Sequence, residues 1–258
     1  MQIFSLRVLE TNYTYFIQSE SGVIVVDPGD YEPVRRYLDQ HQLTVIATLL
    51  THKHWDHTQG VEALQAYQPH PVYGGSKETF PFEVVAMDDN QVFELDQLQM
   101  TCLHLPGHTS GGCGYLVGDC LFTGDVLFGA GMGRLFEGDA KDMLPGLNRI
   151  CTLPDETQIY FGHEYTVANL AFAETVEPNN LAIQQRIQQL KKLGSEQTTP
   201  STLGVEKKTN PFLRVHEPAV KQAIELFAGQ TLDTPEACLQ MLREWKNQYD
   251  EGAIRSGV

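Results

Sequence analysis

Residues 51–57 bring three histidines and one aspartate into a single turn of the chain, in the run Thr51-His52-Lys53-His54-Trp55-Asp56-His57. Imidazole nitrogens and carboxylate oxygens suit divalent zinc, iron or manganese, whereas packing alone gives no reason to gather them in one turn. Alternate residues of a non-helical turn share a face, so His52 and His54 point the same way. Asp56 and His57 then turn toward a second point nearby. One ion cannot use all four groups and keep an open position, so the run predicts two ions.

Three further candidate ligands stand beside glycines, and each follows an apolar run. His108 lies in residues 105–109 (LPGHT), Asp125 in residues 123–125 (TGD) and His163 in residues 160–164 (YFGHE). Glycine lets the backbone pack closely around an ion. Taken alone, each of the three is as readily explained by a structural role as by metal binding.

The elements that position these residues can be located from hydrophobic patterning. Val45–Leu50 is a continuous apolar run that leads directly to Thr51, and Gly22–Asp27 is a β-branched run that ends at a Pro-Gly pair. Residues 1–16 read as strand, residues 32–40 as helix, and residues 92–105 and 114–122 as strand pairs. The sequence therefore predicts an α/β fold that mixes hairpins with crossovers, with the histidine run at a strand end, where open α/β sheets place ligands.

The pattern changes after about residue 163. Residues 166–193 have helical periodicity, broken at Pro178-Asn179-Asn180, where one of the two asparagines is a plausible N-cap. A polar loop is predicted for residues 194–202, and two further helices for residues 218–227 and 234–249. We therefore divide the chain into an α/β metal-binding domain, residues 1–165, and a helical domain, residues 166–258.

Composition and charge exclude several classes of protein. The formal net charge is −15, so the surface repels phosphate backbones and nucleic acid is not an expected partner. The sequence contains no run of 18 apolar residues, so no membrane span is predicted. Residues 1–16 lack the features of an export signal, which favours a cytoplasmic location. The five cysteines are odd in number and form no C-x-x-C pair, so they are expected to be buried thiols. No G-x-S-x-G motif supports a serine nucleophile.

The run THKHWDH resembles the T-H-x-H-x-D-H signature of the metallo-β-lactamase superfamily. That resemblance implies an αβ/βα four-layer sandwich of two mixed sheets with helices outside. The order of the later candidates also matches. The resemblance implies that His52, His54 and His108 bind one metal, that Asp56, His57 and His163 bind the other, and that Asp125 bridges both.

Other segments are similar to the glyoxalase II (hydroxyacylglutathione hydrolase) branch of that superfamily, and the similarity runs nearly from end to end. The segments are Thr11-Asn12-Tyr13, residues 123–128 (TGDVLF), 133–138 (GRLFEG), 162–166 (GHEYT), 176–180 (VEPNN), 200–203 (PSTL) and 210–214 (NPFLR). The branch implies hydrolysis of S-lactoylglutathione to D-lactate and glutathione, the second step of methylglyoxal detoxification. In that reaction a metal-activated hydroxide attacks the thioester, with Asp56 and Asp125 as the catalytic carboxylates.

Substrate-binding residues carry over where they match the family pattern, onto Arg134, Tyr165, Arg243 and Lys246. Two positions depart from it: Arg134 stands where lysine is common, and Phe136 stands where tyrosine is frequent, so a hydroxyl contact is lost. Glutathione conjugates are net anionic, and a chain with a charge of −15 needs local cations to hold one. A solvated helix face is the alternative interpretation of Arg243 and Lys246.

Alternative functions remain open from the sequence. One is a mononuclear-iron persulfide dioxygenase of the same fold, which would need only the first set of ligands. Another, from a different class, is a non-catalytic scaffold that retains the fold. Zinc is the first expectation for the two divalent metal ions, with iron or manganese as alternatives. We expect a monomer without nucleic-acid or membrane partners.

Overall fold

The computed structural model describes residues 1–194 and 197–256. The strands are β1 (Gln2–Val8), β2 (Asn12–Gln18), β3 (Val23–Val26), β4 (Val45–Leu50), β5 (Val72–Gly75), β6 (Val85–Met87), β7 (Val92–Leu95), β8 (Leu98–His104), β9 (Cys113–Val117), β10 (Cys120–Gly124), β11 (Leu127–Phe128), β12 (Gly131–Met132), β13 (Gln158–Phe161) and β14 (Ser201–Thr202). The helices are α1 (Tyr31–His41), α2 (Trp55–Thr58), α3 (Val61–Tyr67), α4 (Ala140–Cys151), α5 (Thr166–Val176), α6 (Leu181–Leu193), α7 (Leu203–Thr209), α8 (Pro218–Ala228) and α9 (Pro235–Ser256), with a 3-10 turn at Pro211–Leu213.

Two six-stranded mixed sheets form the centre of the molecule. The first has the order β1-β2-β3-β4-β5-β6, with antiparallel pairs up to β3 and parallel pairs from β3 onward. The second has the order β14-β13-β10-β9-β8-β7, and its β10–β13 pair is parallel. Strand β11 pairs only with β12, in a short hairpin.

The main core lies between the two sheets, because successive side chains of a strand point to opposite faces. Tyr15 and Ile17 of β2 belong to the same buried cluster as Tyr115 of β9 and Leu121 of β10. Phe16 lies between Tyr15 and Ile17 in the chain and belongs instead to a cluster with residues of α1. The first sheet is therefore apolar on both faces, as the continuous run over residues 22–27 predicts.

The helices after residue 165 begin and end at recognisable signals. Asn180 caps α6, and its side chain accepts hydrogen bonds from the backbone of Ala182 and Ile183. Gly194 ends the same helix in the left-handed region. Among the described residues, none of these helices has the length and apolar character that a membrane span requires.

Most elements agree with the sequence predictions, but three details differ. The loop predicted for residues 194–202 is wrong at its end, because Ser201 and Thr202 pair with β13; positions 195 and 196 lie outside the described residues. Helix α9 continues to Ser256, beyond the predicted end at residue 249. No element is predicted for residues 140–151, where α4 forms behind an Asp139 capping box with Pro145 inside the helix.

The α/β sandwich and its C-terminal helices are confirmed, and strand direction explains where the candidate ligands lie. Strands β3 and β4 run parallel, and Asp27 and Thr51 follow directly after them in neighbouring loops. In the second sheet, β8 and β10 are both antiparallel to β9, and β13 is parallel to β10. Strands β8, β10 and β13 therefore end at one edge of that sheet, and the loops that follow them carry the later candidates.

Candidate metal centre and adjoining cleft

The first group of candidate ligands contains His52, His54 and His108, whose nitrogens lie within 4.8 Å of one another. His108 Nε2 lies 3.0 Å from His54 Nδ1. His52 and His108 are buried, and His54 faces the adjoining cleft. Residues from two separate loops therefore converge on one point.

The second group contains Asp56, His57 and His163, which also offer ligand atoms within 4.8 Å of one another. His163 Nε2 lies 3.4 Å from Asp56 Oδ2 and 3.3 Å from His57 Nε2. Asn12 donates a hydrogen bond of 2.9 Å to Asp56 Oδ2 and so fixes the carboxylate.

Asp125 lies between the two groups. Its Oδ2 is 3.4 Å from His108 Nε2 and 3.2 Å from His163 Nε2. Its Oδ1 is 3.3 Å from His57 Nε2. A single carboxylate thus contacts one histidine of the first group and two of the second, which is the position of a bridging ligand.

The tautomers of two histidines follow from their outer partners. His57 Nδ1 lies 3.0 Å from Asp27 Oδ2, and His108 Nδ1 lies 2.8 Å from the carbonyl oxygen of Arg134. Both partners can only accept, so each Nδ1 carries a proton and each ring directs its Nε2 at the centre. Such outer partners fix ring orientation in metal sites and raise the basicity of the ligand.

Asp27, His52 and His57 also form a compact group, but Asp27 is already engaged. Its Oδ1 accepts from the backbone nitrogen of Thr51 at 2.8 Å, and its Oδ2 accepts from the Thr51 hydroxyl at 2.6 Å. The same hydroxyl lies 3.0 Å from His52 Nδ1. Asp27 therefore supports two histidines from behind the centre, and it adopts a φ of 49° to do so.

The pKa directions describe a centre that attracts cations. Burial would raise the pKa of Asp125, but the nearby charges of His163 and His57 outweigh it and hold that pKa well below its usual range. Burial lowers the pKa of His52, and the neighbouring His57 lowers it further, so His52 is neutral. The pKa of His57 is raised despite burial, because Asp125 and Asp27 surround it. The same negative potential attracts a metal cation, which would compete with protons for these nitrogens.

Unpaired buried atoms provide the test of whether the residues fit metal ions. Among the described residues, His52 Nε2 and Asp125 Oδ1 are buried without a hydrogen-bond partner. Unpaired buried polar atoms are costly and uncommon in proteins. Both atoms point into the group of imidazoles and carboxylates, so a pair of divalent cations fits the donor set.

Gly162 permits the close approach of these loops. A Cβ at this position would lie 2.2 Å from Asp125 Oδ1 and 2.9 Å from His57 Cε1. Any side chain larger than hydrogen would therefore displace the carboxylate of Asp125. Close packing within the site therefore requires glycine at the position before His163.

A cleft of about 630 Å³ opens from the metal centre. Its lining includes five of the metal candidates and all five substrate-binding candidates, namely His54, Asp56, His108, Asp125, His163, Arg134, Phe136, Tyr165, Arg243 and Lys246. His52 and His57 lie behind this surface and are buried. Residues that are distant in the chain are thus brought together on one wall.

The cleft wall is divided by chemical type. Tyr165 stacks on His163 with ring centroids 4.9 Å apart and an interplanar angle of 3°. Phe136 packs edge-on against His54 and His108, and it is 61% exposed. Arg243 and Lys246 approach from α9, and both side chains are buried. The cleft thus joins an aromatic rim at the metal centre to a cationic wall.

An ion-pair network anchors the loop that carries Arg134 and Phe136. Lys53 Nζ lies 2.8 Å from Glu137 Oε1 and 3.3 Å from Glu78 Oε1. Glu137 Oε2 also accepts hydrogen bonds of 3.1 Å from the backbone and hydroxyl of Ser110. The hydrogen bond from Lys53 is the main cause that lowers the pKa of Glu137 from 4.5 to about 2.

Several supporting residues are absent from the sequence predictions. Asp27 is one of them. It follows an apolar strand and precedes a Pro-Gly turn, and this pattern indicates the strand edge where ligands gather. Lys53 and Glu137 carry no comparable signal, because their pairing depends on loops far apart in the chain. Asp250 also lines the cleft, and its spacing from Lys246 is common on any helix surface.

Two family models match the chain. The metallo-beta-lactamase superfamily matches residues 8–97 and 84–163, and the hydroxyacylglutathione hydrolase C-terminus matches residues 164–249. Among solved structures, ETHE1 from Myxococcus xanthus is similar with a TM-score of 0.67 and 27% identity, covering 95% of this chain and 98% of that one. The BLEG-1 B3 metallo-beta-lactamase is similar with a TM-score of 0.63 and 25% identity, covering 82% of this chain and 99% of that one.

Full-length relatives have greater sequence identity. The hydroxyacylglutathione hydrolase of Alkalilimnicola ehrlichii is 46% identical over 253 residues, with 96% of this chain and 99% of the relative covered. The hydroxyacylglutathione hydrolase of Vibrio cholerae is 43% identical, with 96% of this chain and 100% of the relative covered. By its metal-site fold, its C-terminal family match and these relatives, the chain belongs to the hydroxyacylglutathione hydrolase family of the metallo-β-lactamase superfamily.

Proposed function

We propose that this protein hydrolyses S-2-hydroxyacylglutathione thioesters, with S-lactoylglutathione as substrate and D-lactate and glutathione as products. The observation that carries the proposal is the position of Asp125, whose carboxylate touches both groups of ligands at the floor of a cleft with a cationic wall. Family membership supports the substrate class, because the relatives are named for this reaction. The reaction would be the second step of methylglyoxal detoxification.

The proposed metal ligands form two sets with one shared residue. His52, His54 and His108 would hold one divalent ion, Asp56, His57 and His163 would hold the other, and Asp125 would be shared by both. Zinc is the proposed metal, with iron or manganese as alternatives that the same nitrogen and oxygen donors accept. Two divalent ions held there would supply an activated water as nucleophile and polarisation of the carbonyl under attack.

The protein's own residues orient the reactants. Asp56 is the carboxylate proposed to orient the attacking water, and its geometry supports this because Asn12 fixes one oxygen while the residue still lines the cleft. Burial would raise the pKa of Asp56, but hydrogen bonds from His163 and Asn12 and the charge of His57 lower it, so the group is ionised. An ionised carboxylate can accept a hydrogen bond from water, and this contact directs a lone pair of the water oxygen at the thioester carbon.

The proposed substrate contacts are Arg134, Phe136, Tyr165, Arg243 and Lys246. The cations bind the carboxylates of glutathione, with bidentate contact available to the guanidinium groups. Tyr165 and Phe136 pack beside the thioester, next to the histidines that they already contact. Water adds to the carbonyl carbon and the carbon–sulfur bond breaks. The sulfur leaves as glutathione, and the acyl group leaves as a carboxylate with release of one proton.

The chain is proposed to contain two domains with different roles. Residues 1–165 form the metal-binding domain, and residues 166–258 form the helical domain that supplies Arg243 and Lys246 to the cleft. We propose that the protein acts as a cytoplasmic monomer.

A single-iron persulfide dioxygenase is the main competing function, and the complete second set of ligands argues against it. The test uses purified protein with two substrates in parallel. Loss of thioester absorbance with S-D-lactoylglutathione, without oxygen uptake from glutathione persulfide, is the expected result. Oxygen uptake without thioester hydrolysis would reject the hydrolase proposal.

A further inference from the structure

One face of α9 presents two buried cations and one carboxylate to the cleft. Arg243 and Lys246 are each 4% exposed, and Asp250 follows Lys246 by one helical turn. Residues with this spacing lie above one another on a helix. All three line the cleft into which the candidate metal ligands Asp56 and Asp125 also open.

The carboxylate of Asp250 is shared between the two cations. Its Oδ1 accepts a hydrogen bond from Lys246 Nζ, and its Oδ2 lies 3.6 Å from Arg243 Nη2. One oxygen for each cation is also how a carboxylate of a bound ligand would use this pair. Asp250 therefore occupies the place that such a ligand needs.

Other contacts hold the two cations in place. Arg243 Nη1 donates to the carbonyl oxygen of Met132 at 2.7 Å, and its guanidinium carbon lies 5.4 Å from the centroid of Phe212. Lys246 Nζ lies 5.6 Å from the centroid of Phe172. The carboxylate is the most exposed member of the trio, at 27% for its side chain against 5% for each cation. It is therefore the member that can turn away at least cost.

Burial makes a counter-ion necessary when the cleft holds no substrate. Desolvation lowers the pKa of Arg243 to about 10 and also lowers that of Lys246, and the nearby charge of Arg134 acts in the same direction. Buried cations without a partner are destabilising. One internal carboxylate offsets this cost in the empty cleft.

We propose that Asp250 is a built-in counter-ion that competes with the anionic end of the substrate for Arg243 and Lys246. The proposal rests on the proposed function, since it takes the ligand to be a glutathione thioester. By competing, Asp250 weakens the binding of anionic ligands below what the cations alone would give. The product glutathione keeps both carboxylates of the substrate, so the same competition favours product release.

The test measures the affinity for S-hexylglutathione, a thioether that cannot be hydrolysed, by calorimetry on the metal-loaded protein. Three proteins are compared: wild type, Asp250→Asn and Glu251→Gln. The matched control removes the same charge from an exposed neighbour on the same helix. Asp250→Asn is expected to bind about 3- to 30-fold more tightly than wild type, and Glu251→Gln within about 2-fold of it.

A second ligand separates competition from general effects. S-hexylglutathione with both carboxylates amidated should show no gain in affinity from Asp250→Asn, because it has no anion to place between the cations. Unchanged or weaker binding of S-hexylglutathione by Asp250→Asn overturns the proposal, as does an equal gain in Glu251→Gln or with the amidated ligand. If wild type binds S-hexylglutathione and hydrolyses the thioester, such results reject the role of Asp250 alone. If wild type does neither, the proposed function fails first and the inference falls with it.

Discussion

Asp27 holds His57 in a single orientation from behind the metal centre. Asp27 Oδ2 lies 3.0 Å from His57 Nδ1, and both residues are buried. The opposite nitrogen of the ring, Nε2, lies 3.3 Å from Asp125 Oδ1. A residue outside both proposed ligand sets thus fixes which nitrogen of His57 is available to a metal.

Replacing Asp27 by asparagine should weaken metal binding in the second set. The amide can present a donor to His57 Nδ1 where the carboxylate accepts, which favours the wrong tautomer. We expect affinity for the second ion to fall by about 10- to 100-fold, as for other partners of metal-bound histidines. Competition with a chelator measures this loss, with Asp88→Asn as the exposed control. Equal affinities in wild type and Asp27→Asn would show that the carboxylate does not set the tautomer.

Replacing Gly162 by alanine should damage the centre without removing a ligand. The added methyl group would lie 2.2 Å from Asp125 Oδ1, so the carboxylate proposed to bridge the two ions must move. We expect hydrolysis to fall by about 100-fold or more, because small displacements at a reacting centre cost this much. Gly194→Ala has open space and serves as a control for glycine removal in general, although its φ of 56° makes it mildly destabilising. Full activity of Gly162→Ala would contradict the bridging role of Asp125.

Replacing Arg134, the exposed cation at the rim of the cleft, should weaken substrate binding more than it slows the chemical step. Arg134 lines the cleft but lies on its exposed side. Arg134→Met is expected to raise KM for S-lactoylglutathione about 3- to 10-fold, the scale of a partly exposed ion pair. Arg134→Lys keeps the charge and should stay within about 3-fold of wild type. A fall in kcat with an unchanged KM would assign Arg134 a different role.

The ion pair between Lys53 and Glu137 gives a pH-dependent prediction. The pKa of Glu137 is lowered from 4.5 to about 2, so its contribution to stability is fully present above about pH 4.5. The contribution is lost as the pH falls from there toward 2, because the unfolded state takes up the proton first. Glu137→Gln should therefore destabilise the protein by no more than about 1 kcal/mol at pH 7, since the pair is partly exposed.

Urea unfolding of the metal-free protein at pH 7 and pH 4 measures that difference directly. The stability gap between wild type and Glu137→Gln should be smaller at pH 4 than at pH 7. A gap that widened at the lower pH would show that the carboxylate is not stabilised by Lys53.

The sequence predicts the strands of the centre well because apolar runs are local signals. Val45–Leu50 leads into the histidine run, and the structure shows that strand at the predicted residues. Glycine neighbours after apolar runs indicate His108, Asp125 and His163 as candidates. The partition of the seven candidate ligands into two groups depends on contacts between loops, so family resemblance and not spacing predicts it. Tertiary contacts also explain what was missed: α4 forms despite Pro145, because its apolar face packs into the main core. The sequence around Asp250 does not indicate that this face of α9 lines a cleft.

Titration of the metal-free protein with zinc tests whether hydrolysis of the glutathione thioester requires two metal ions per chain. The rate of S-D-lactoylglutathione hydrolysis is measured as zinc is added, with bound metal determined on the same samples. We expect activity to reach its maximum near two ions per chain, and Asp125→Asn to remain below about 1% of wild type at the same occupancy. Full activity with one ion per chain would contradict the two-metal mechanism, and no hydrolysis with two ions bound would contradict the proposed reaction.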